Sequence, residues 1–106
     1  MIIRSALLQG EVAPEHQAEF EAYMRKTVLP SILEYPGIRG VSLRRLIETD
    51  AGAEPIYMQF DMMFDSVEAM NAALASPVRQ SVQATIKAGM GSFKGHVIHT
   101  VSEQLT

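Results

Sequence analysis

The sequence predicts a single α+β domain in which four strands and two helices follow one another in the order βαββαβ. The chain has 106 residues, the length of one ordinary domain, so we expect one core across residues 1–106. Four short segments are apolar or alternate with a period of two, as strands do. Two longer segments between them repeat apolar residues every three or four positions, as helices do. Apolar residues make up 47% and charged residues 20%, which indicates a folded domain.

The N-terminal third of the chain predicts a strand followed by a long helix. Ile2 to Leu8 is a short apolar run, and a strand fits it better than a helix. The helix opens at Pro14, because proline lacks an N–H that would be unpaired in the first turn anyway. Its apolar stripe repeats every four residues, at Phe20, Met24, Val28 and Ile32. We expect Pro30 to loosen the last turn and Pro36-Gly37 to end the helix.

The middle of the chain predicts a hairpin of two strands. Ile38 to Ile47 alternates, and the polar stretch from Glu48 to Pro55 is typical of a connection. The next strand, Ile56 to Phe64, has the clearest alternation in the chain. One of its faces is apolar, with Ile56, Met58, Phe60, Met62 and Phe64. The other face carries Tyr57, Gln59, Asp61 and Met63, so we expect functional groups there.

The last third predicts a broken helix and a final strand. Asp65-Ser66-Val67-Glu68 resembles a capping box, which starts a helix. Ser76-Pro77 repeats the start signal, so we expect a bend at Ala75 to Pro77, with Ser76 as the cap of the second half of the helix. Gly89-Met90-Gly91 stops the helix. The final strand, Phe93 to Val101, has His96, Ile98 and Thr100 on one face and Val97, His99 and Val101 on the other.

This order of elements is that of the ferredoxin-like fold, an antiparallel four-stranded sheet with both helices on one face. The sheet face away from the helices is then uncovered. We predict that Ile2, Ala6 and Leu8 lie on that face, together with Tyr57 and Met63. Such side chains are too apolar for a sheet face in contact with water. A second copy that packs sheet on sheet about a twofold axis is the predicted cover, which makes a homodimeric α/β barrel.

Composition argues against several partners and cofactors. Nine Lys and Arg against twelve Asp and Glu give a net charge of −3, so we expect no nucleic acid and no membrane partner. Without cysteine there is no sulfur-ligated metal site, and we expect a cytoplasmic protein. No phosphate-binding glycine loop is present, and we expect no metal and no cofactor. Residues 69–102 hold no acidic residue but contain Arg79, Lys87 and Lys94, which favours either an anionic ligand or a solvated face.

Four stretches of the sequence resemble the EthD-like branch of the dimeric α/β-barrel superfamily. They are Glu19-Phe20-Glu21-Ala22-Tyr23 with Leu29-Pro30, Tyr35-Pro36-Gly37-Ile38, Phe64-Asp65-Ser66-Val67-Glu68-Ala69-Met70, and Ala73-Leu74-Ala75-Ser76-Pro77. The resemblance spans most of the chain and is strongest at the second helix. Family members commonly carry a His-x-Pro-Leu-like element late in the first helix, where this chain has Thr27-Val28-Leu29-Pro30.

The resemblance implies a small homodimer with one pocket per subunit for a small hydrophobic, often cyclic, molecule. It does not fix a reaction, because relatives in the superfamily act as cofactor-independent monooxygenases, isomerases or dehydratases, or have no known chemistry. Two hypotheses therefore stay open. The first is a cofactor-independent enzyme that works by proton transfer, with or without oxygen as co-substrate. The second is a non-catalytic binding or accessory module that supports a partner oxidase or a degradation pathway.

His96 and Asp61 are the candidate catalytic residues. His96 lies on the predicted barrel face, where an ordinary pKa of about 6.5 suits an acid or base. A carboxylate enclosed there needs a partner, and Arg4 on the neighbouring central strand is the expected one. The alternative for His96 is a structural histidine. His99 points to the opposite face, so it cannot share a metal with His96 and is expected to fill or edge the core.

Four further side chains are predicted to bind the substrate. If Asp61 or His96 abstracts a proton, the resulting oxyanion needs a donor, and three residues of the same predicted face can supply one. These are Arg4, Arg44 and Tyr57. Gln59 shares that face on the third strand. We therefore expect His96, Asp61, Gln59, Tyr57 and Arg4 to line one common cavity between the sheet and its cover.

Overall fold

Four antiparallel strands form one sheet in the computed structural model, which describes residues 1–106. The strands are β1 (Ile2–Val12), β2 (Gly40–Arg45), β3 (Ile56–Phe64) and β4 (Phe93–Glu103). Their order in the sheet is β2-β3-β1-β4, so β1 and β3 are central and β2 and β4 are edges. This is the ferredoxin-like arrangement, and the α+β class predicted from the sequence is confirmed. The hairpin strand β2 is shorter than the predicted Ile38 to Ile47.

The first helical stretch runs without interruption from Pro14 to Ile32 but changes its winding in the middle. It consists of α1 (Pro14–Tyr23), a π-helical turn (Met24–Val28) and α2 (Leu29–Ile32). Pro30 has no N–H to donate to the carbonyl four residues back, and its ring crowds that carbonyl. The wider π turn ends at Val28, two residues before Pro30, so the winding is loosened before the proline and not in the last turn as predicted.

The second helical stretch is divided as predicted, into α3 (Val67–Leu74) and α4 (Val78–Ala88). Ser66 begins α3 by accepting a hydrogen bond from the Ala69 N–H at 3.0 Å. The predicted cap at Ser76 is wrong, because its hydroxyl donates to the Ala73 carbonyl at 2.6 Å and so serves the end of α3. None of the helices has the length and apolarity needed to cross a lipid bilayer.

The sheet face that the helices cover is the opposite of the predicted one for β1. Ile2, Leu8 and Val12 are buried in the same core as Phe20 and Met24 of the first helical stretch. We call this side the helix-covered face; the even-numbered residues of β1 from Ile2 to Leu8 lie on it. Their cross-strand partners Met58, Phe60, Met62 and Phe64 lie there too. The other side, which we call the open face, carries Ile3, Ser5, Leu7 and Gln9.

A β-bulge corrects the predicted position of Tyr57. Leu8 pairs with Met58 and Gln9 pairs with Ile56, so Tyr57 is an extra residue in β3. Its ring packs edge-to-face on Phe20 of α1, with the ring centroids 5.8 Å apart, and its hydroxyl donates to Glu21. Tyr57 therefore lies against α1 and not on the open face where the alternation predicted it.

Candidate functional site

A cavity of about 320 Å³ lies between the helix-covered face and the helical layer. Its walls are mostly apolar, and they include Leu8, Met24, Phe60, Met62, Val82 and Ile86. The sheet supplies one wall, and the π turn, α2, α4 and the C-terminal end of α3 supply the others. A volume of this order is at the lower end of the range that small-molecule sites occupy. The fold thus contains one apolar chamber of the size of a small ring compound.

Apart from the amide of Gln83, the polar groups that line this cavity are basic or phenolic, and they come from both the sheet and the helical layer. Arg4 comes from β1, Tyr35 follows α2, Arg79 and Lys87 come from α4, and His99 comes from β4. No aspartate or glutamate is among the lining residues. The cavity therefore combines an apolar wall with a positive charge that no carboxylate in the lining neutralises.

Tyr35 has only 5% of its surface exposed, yet its hydroxyl makes no hydrogen bond with the protein. Burial raises the pKa of this hydroxyl, although the charges of Arg79 and Arg4 oppose the shift. The phenol consequently stays protonated at neutral pH and can donate a hydrogen bond. Tyr35, Arg4 and Arg79 all line this cavity, so the phenol and the two guanidinium groups are available to one ligand.

His99 is held in its neutral form by its position. Burial lowers its pKa, and the positive charges of Arg4 and Arg79 lower it further. The residue lies on β4 opposite Ala6, on the helix-covered face. A neutral imidazole at pH 7 can accept a proton, which is what a general base requires. The sequence led us to expect His99 in the core and not as a cavity residue.

Asp61 lies on the open face, as predicted, but its partners differ from the predicted one. It is 7% exposed and accepts hydrogen bonds from Ser5 at 2.5 Å, Arg44 at 2.7 Å and Gln59 at 3.0 Å. The expected Arg4–Asp61 pair is wrong, because Arg4 lies on the helix-covered face. Burial opposes ionisation, but the bonds from Gln59, Ser5 and Arg44 outweigh it and hold the pKa of this carboxyl below its usual range.

His96 shares the open face with Asp61 but lies at the other end of it. His96 pairs with Gln9 across β1, whereas Asp61 pairs with Ser5. Four residues of strand correspond to about 13 Å. The His96 ring nitrogen Nε2 is 3.0 Å from Oε1 of Gln9 and 3.4 Å from Oε1 of Glu54, and the side chain is largely exposed.

The structure therefore divides the predicted site residues between the two sides of the sheet. Asp61, Gln59 and Arg44 form one hydrogen-bonded group on the open face. Arg4 lines the cavity, and Tyr57 packs against α1. The prediction that His96, Asp61, Gln59, Tyr57 and Arg4 line one common cavity is therefore wrong. The catalytic roles of His96 and Asp61 and the binding roles of the others stay predictions.

Sequence reasoning missed Tyr35 and His99 as cavity residues and saw Arg79 only as one of three dispersed charges. The signal for Arg79 was present, since residues 69–102 hold no acidic residue. Periodicity gave no signal for Tyr35, because it lies in the irregular stretch after α2, and it stood out only as part of the family-like stretch Tyr35-Pro36-Gly37-Ile38. Nowhere does the structure group three or more His, Asp or Glu side chains as a metal ion would need.

Comparison with known proteins identifies the fold, although the sequence similarity to them is low. No family model matches the chain, and no curated protein sequence does. A crystal structure of an ethyl tert-butyl ether D (EthD) family protein from Bacillus halodurans C-125 superposes with a TM-score of 0.76 at 18% identity, covering 99% of this chain and 100% of that one. The resemblance to the EthD-like branch is thereby confirmed at the level of the fold.

Two further solved structures share the fold. SnoaB, a cofactor-independent oxygenase from Streptomyces nogalater, superposes with a TM-score of 0.62 at 17% identity, covering 99% of this chain and 93% of SnoaB. A dimeric ferredoxin-like protein of unknown function from Thermobifida fusca YX gives 0.62 at 14% identity, covering 97% of this chain and 90% of that one. The fold is thus shared by proteins described as oxygenases and as dimers.

Proposed function

We propose that the chain binds a small hydrophobic or cyclic molecule in the cavity between the sheet and the helices, and that it acts on this molecule without a cofactor. The observation that carries the proposal is the apolar cavity of about 320 Å³ that Tyr35 and His99 border with hydrogen-bonding capacity to spare. The fold neighbour described as a cofactor-independent oxygenase supports the same class of activity.

Proton transfer is the reaction class that these side chains support. The neutral imidazole of His99 takes a proton from an activated C–H or O–H bond of the ligand, and the electron pair moves onto a ligand oxygen. The Tyr35 hydroxyl donates a hydrogen bond to that oxygen as its negative charge develops. If oxygen is the co-substrate, a ring methylene and O₂ give a ring carbonyl and water, so atoms and electrons balance.

A matched pair of substitutions tests where the ligand binds. Ala6 lies on the helix-covered face and lines the cavity, while its neighbour Leu7 lies on the open face. Ala6→Phe fills the cavity and should weaken the binding of 2-tetralone, a neutral cyclic ketone, by roughly 10-fold or more. Leu7→Phe should leave the affinity unchanged. Equal binding by the Ala6→Phe variant and the unchanged protein, measured by titration calorimetry, would overturn the proposal.

A second matched pair tests which histidine acts. In D₂O, 2-tetralone should exchange its acidic C–H protons faster with the protein present, as ¹H NMR measures. His99→Ala should lower this rate by about 10²-fold while the ketone still binds. His96→Ala should not lower it. The reverse result would establish the catalytic role that the sequence predicted for His96 and would move the active site to the open face.

A non-catalytic binding module is the alternative, and one observation favours it. The predicted catalytic carboxylate, Asp61, already accepts three hydrogen bonds from protein donors. A carboxylate in this state is less suited to take a proton from a ligand. Binding of 2-tetralone with no accelerated exchange in any variant supports this alternative, in which the chain holds a ligand for a partner enzyme.

We also propose that the chain is a homodimer whose second copy covers the open face. The edge strand β4 has 11 residues, and almost all of them are exposed. Ile98 on this strand lies opposite Leu7, so the open face presents apolar side chains beside the Asp61 group. Long edge strands with exposed apolar residues are seldom left uncovered. The fold neighbours described as dimeric ferredoxin-like proteins support the proposal.

A further inference from the structure

Two arginines at the cavity lack the partners that other arginines of this chain have. Arg39, Arg44 and Arg45 each form an ion pair with a carboxylate, at 2.7, 2.7 and 3.0 Å. Arg4 and Arg79 take part in none of the ion pairs of the chain. Both are half-buried and line the cavity. Their guanidinium donors are therefore free to bind something that enters it.

The surroundings of the two arginines destabilise their positive charges, which favours binding of an anion beside them. Burial lowers the pKa of Arg4, and the positive charge of Arg79 lowers it further, so the two groups repel each other. Lys87 adds another positive charge to the lining, which contains no carboxylate. An anion between the two guanidinium groups would remove this repulsion and satisfy their donors.

We propose that the ligand is an organic carboxylate, a hydrophobic or cyclic molecule whose single carboxylate is held between Arg4 and Arg79 while its ring lies against the apolar wall. The planar donor fork of a guanidinium matches the two oxygens of a carboxylate better than a single-point charge such as lysine does. The hydroxyl of Tyr35, which lines the same cavity, supplies a further donor. This inference rests on the proposed function, because it needs the same cavity to be the binding site.

Two probes of the same shape and different charge provide the test. At pH 7.5, 2-naphthoate is an anion, and 2-naphthamide is its neutral isostere. We expect titration calorimetry to give at least a roughly 10-fold higher affinity for the naphthoate, since an added charge-assisted pair contributes about that factor. Arg79→Gln should abolish this preference and leave amide binding nearly unchanged. Arg25→Gln, which makes the same charge change at an exposed arginine, should keep the preference.

The histidine beside the arginines gives a second measurement, which needs no substitution. The other ionisable groups that line the cavity with His99 are Arg4 of β1, Arg79 and Lys87 of α4, and the Tyr35 hydroxyl, and the charges of Arg4 and Arg79 act on His99 directly. A bound carboxylate compensates the positive charges, so the pKa of His99 measured by NMR should rise with 2-naphthoate and stay unchanged with 2-naphthamide.

The outcomes separate the two proposals. Equal affinity for both probes, with no shift of the His99 titration, would overturn the carboxylate proposal and leave the proposed ring-binding function standing. Binding of neither probe would overturn both. If Arg25→Gln lowered the preference for naphthoate as much as Arg79→Gln does, the preference would depend only on the net charge of the protein. That result would also overturn the proposal.

Discussion

Each face of the sheet carries a cluster of polar side chains, and the two clusters differ in how far the protein itself satisfies them. On the open face, Asp61 is bonded by Ser5, Arg44 and Gln59. On the helix-covered side, Arg4 of the sheet and Arg79 of α4 line the cavity and form no ion pair with the protein. A polar group that already has its partners stabilises the fold, whereas one with unused donors is available to a ligand.

The two faces also show that a lowered pKa can have opposite meanings. For Asp61, hydrogen bonds from its neighbours overcome the effect of burial and stabilise the charged form. For His99, burial and the positive charges of Arg4 and Arg79 destabilise the charged form. The first shift describes a group that is fixed as an ion, and the second describes a base that is kept neutral.

The largest expected effect comes from placing a charge on the open face. Ile98→Glu should convert the proposed dimer to a monomer, because a carboxylate would be buried between the two sheets. Val101→Glu is the matched control, since Val101 is exposed on the same strand but has the opposite parity. Light scattering at micromolar concentration measures the mass. A monomer mass for the unchanged protein would contradict the proposed dimer.

Asp61→Asn should lower the free energy of unfolding by about 2 kcal/mol or more, because the amide cannot accept from all three donors. Urea denaturation measures the change. Asp65→Asn, whose ion pair with Arg39 is exposed, should leave the midpoint almost unchanged. A stable Asp61→Asn variant that has lost proton exchange on 2-tetralone would instead establish the catalytic role predicted from the sequence.

A smaller effect should appear as a two-part pH dependence of stability. Because the pKa of folded His99 lies below its ordinary value of about 6.5, the unfolded chain takes up this proton first, and stability falls as the pH drops below about 6.5. The contribution of Asp61 is present above about pH 4 and is lost as the pH falls through its lowered pKa. His99→Gln should remove only the first loss and Asp61→Asn only the second, as thermal melts at several pH values would show.

The smallest expected change in stability is at the cavity. Arg79→Met should leave the melting temperature unchanged or raise it slightly, because it removes the repulsion with Arg4 and breaks no ion pair. A loss of stability comparable to that of Asp61→Asn would mean that the cavity arginines are structural. In that case the polar groups at the cavity would stabilise the fold just as those of the open face do, and the contrast between the two faces would be lost.

The kinds and order of the elements could be predicted from the sequence because local signals determine them. Pro14 opens the first helix, and Ser76-Pro77 marks the division of the second. Alternation in β3 likewise predicted that Gln59 and Asp61 share a face, which the register of the sheet confirms. Such signals act over a few residues and need no knowledge of what the element packs against.

The composition of the site was decided by tertiary structure alone. Alternation fixes which residues of a strand share a face, but in β1 both parities are apolar, so only packing decides which one meets the helices. A bulge that depends on the pairing of β3 with β1 turned Tyr57 towards α1. Arg4, Tyr35, Arg79 and His99 come from four separate elements or connections, and their shared cavity follows from how those elements pack. Sequence therefore determined the elements of this protein, and long-range packing determined its candidate site.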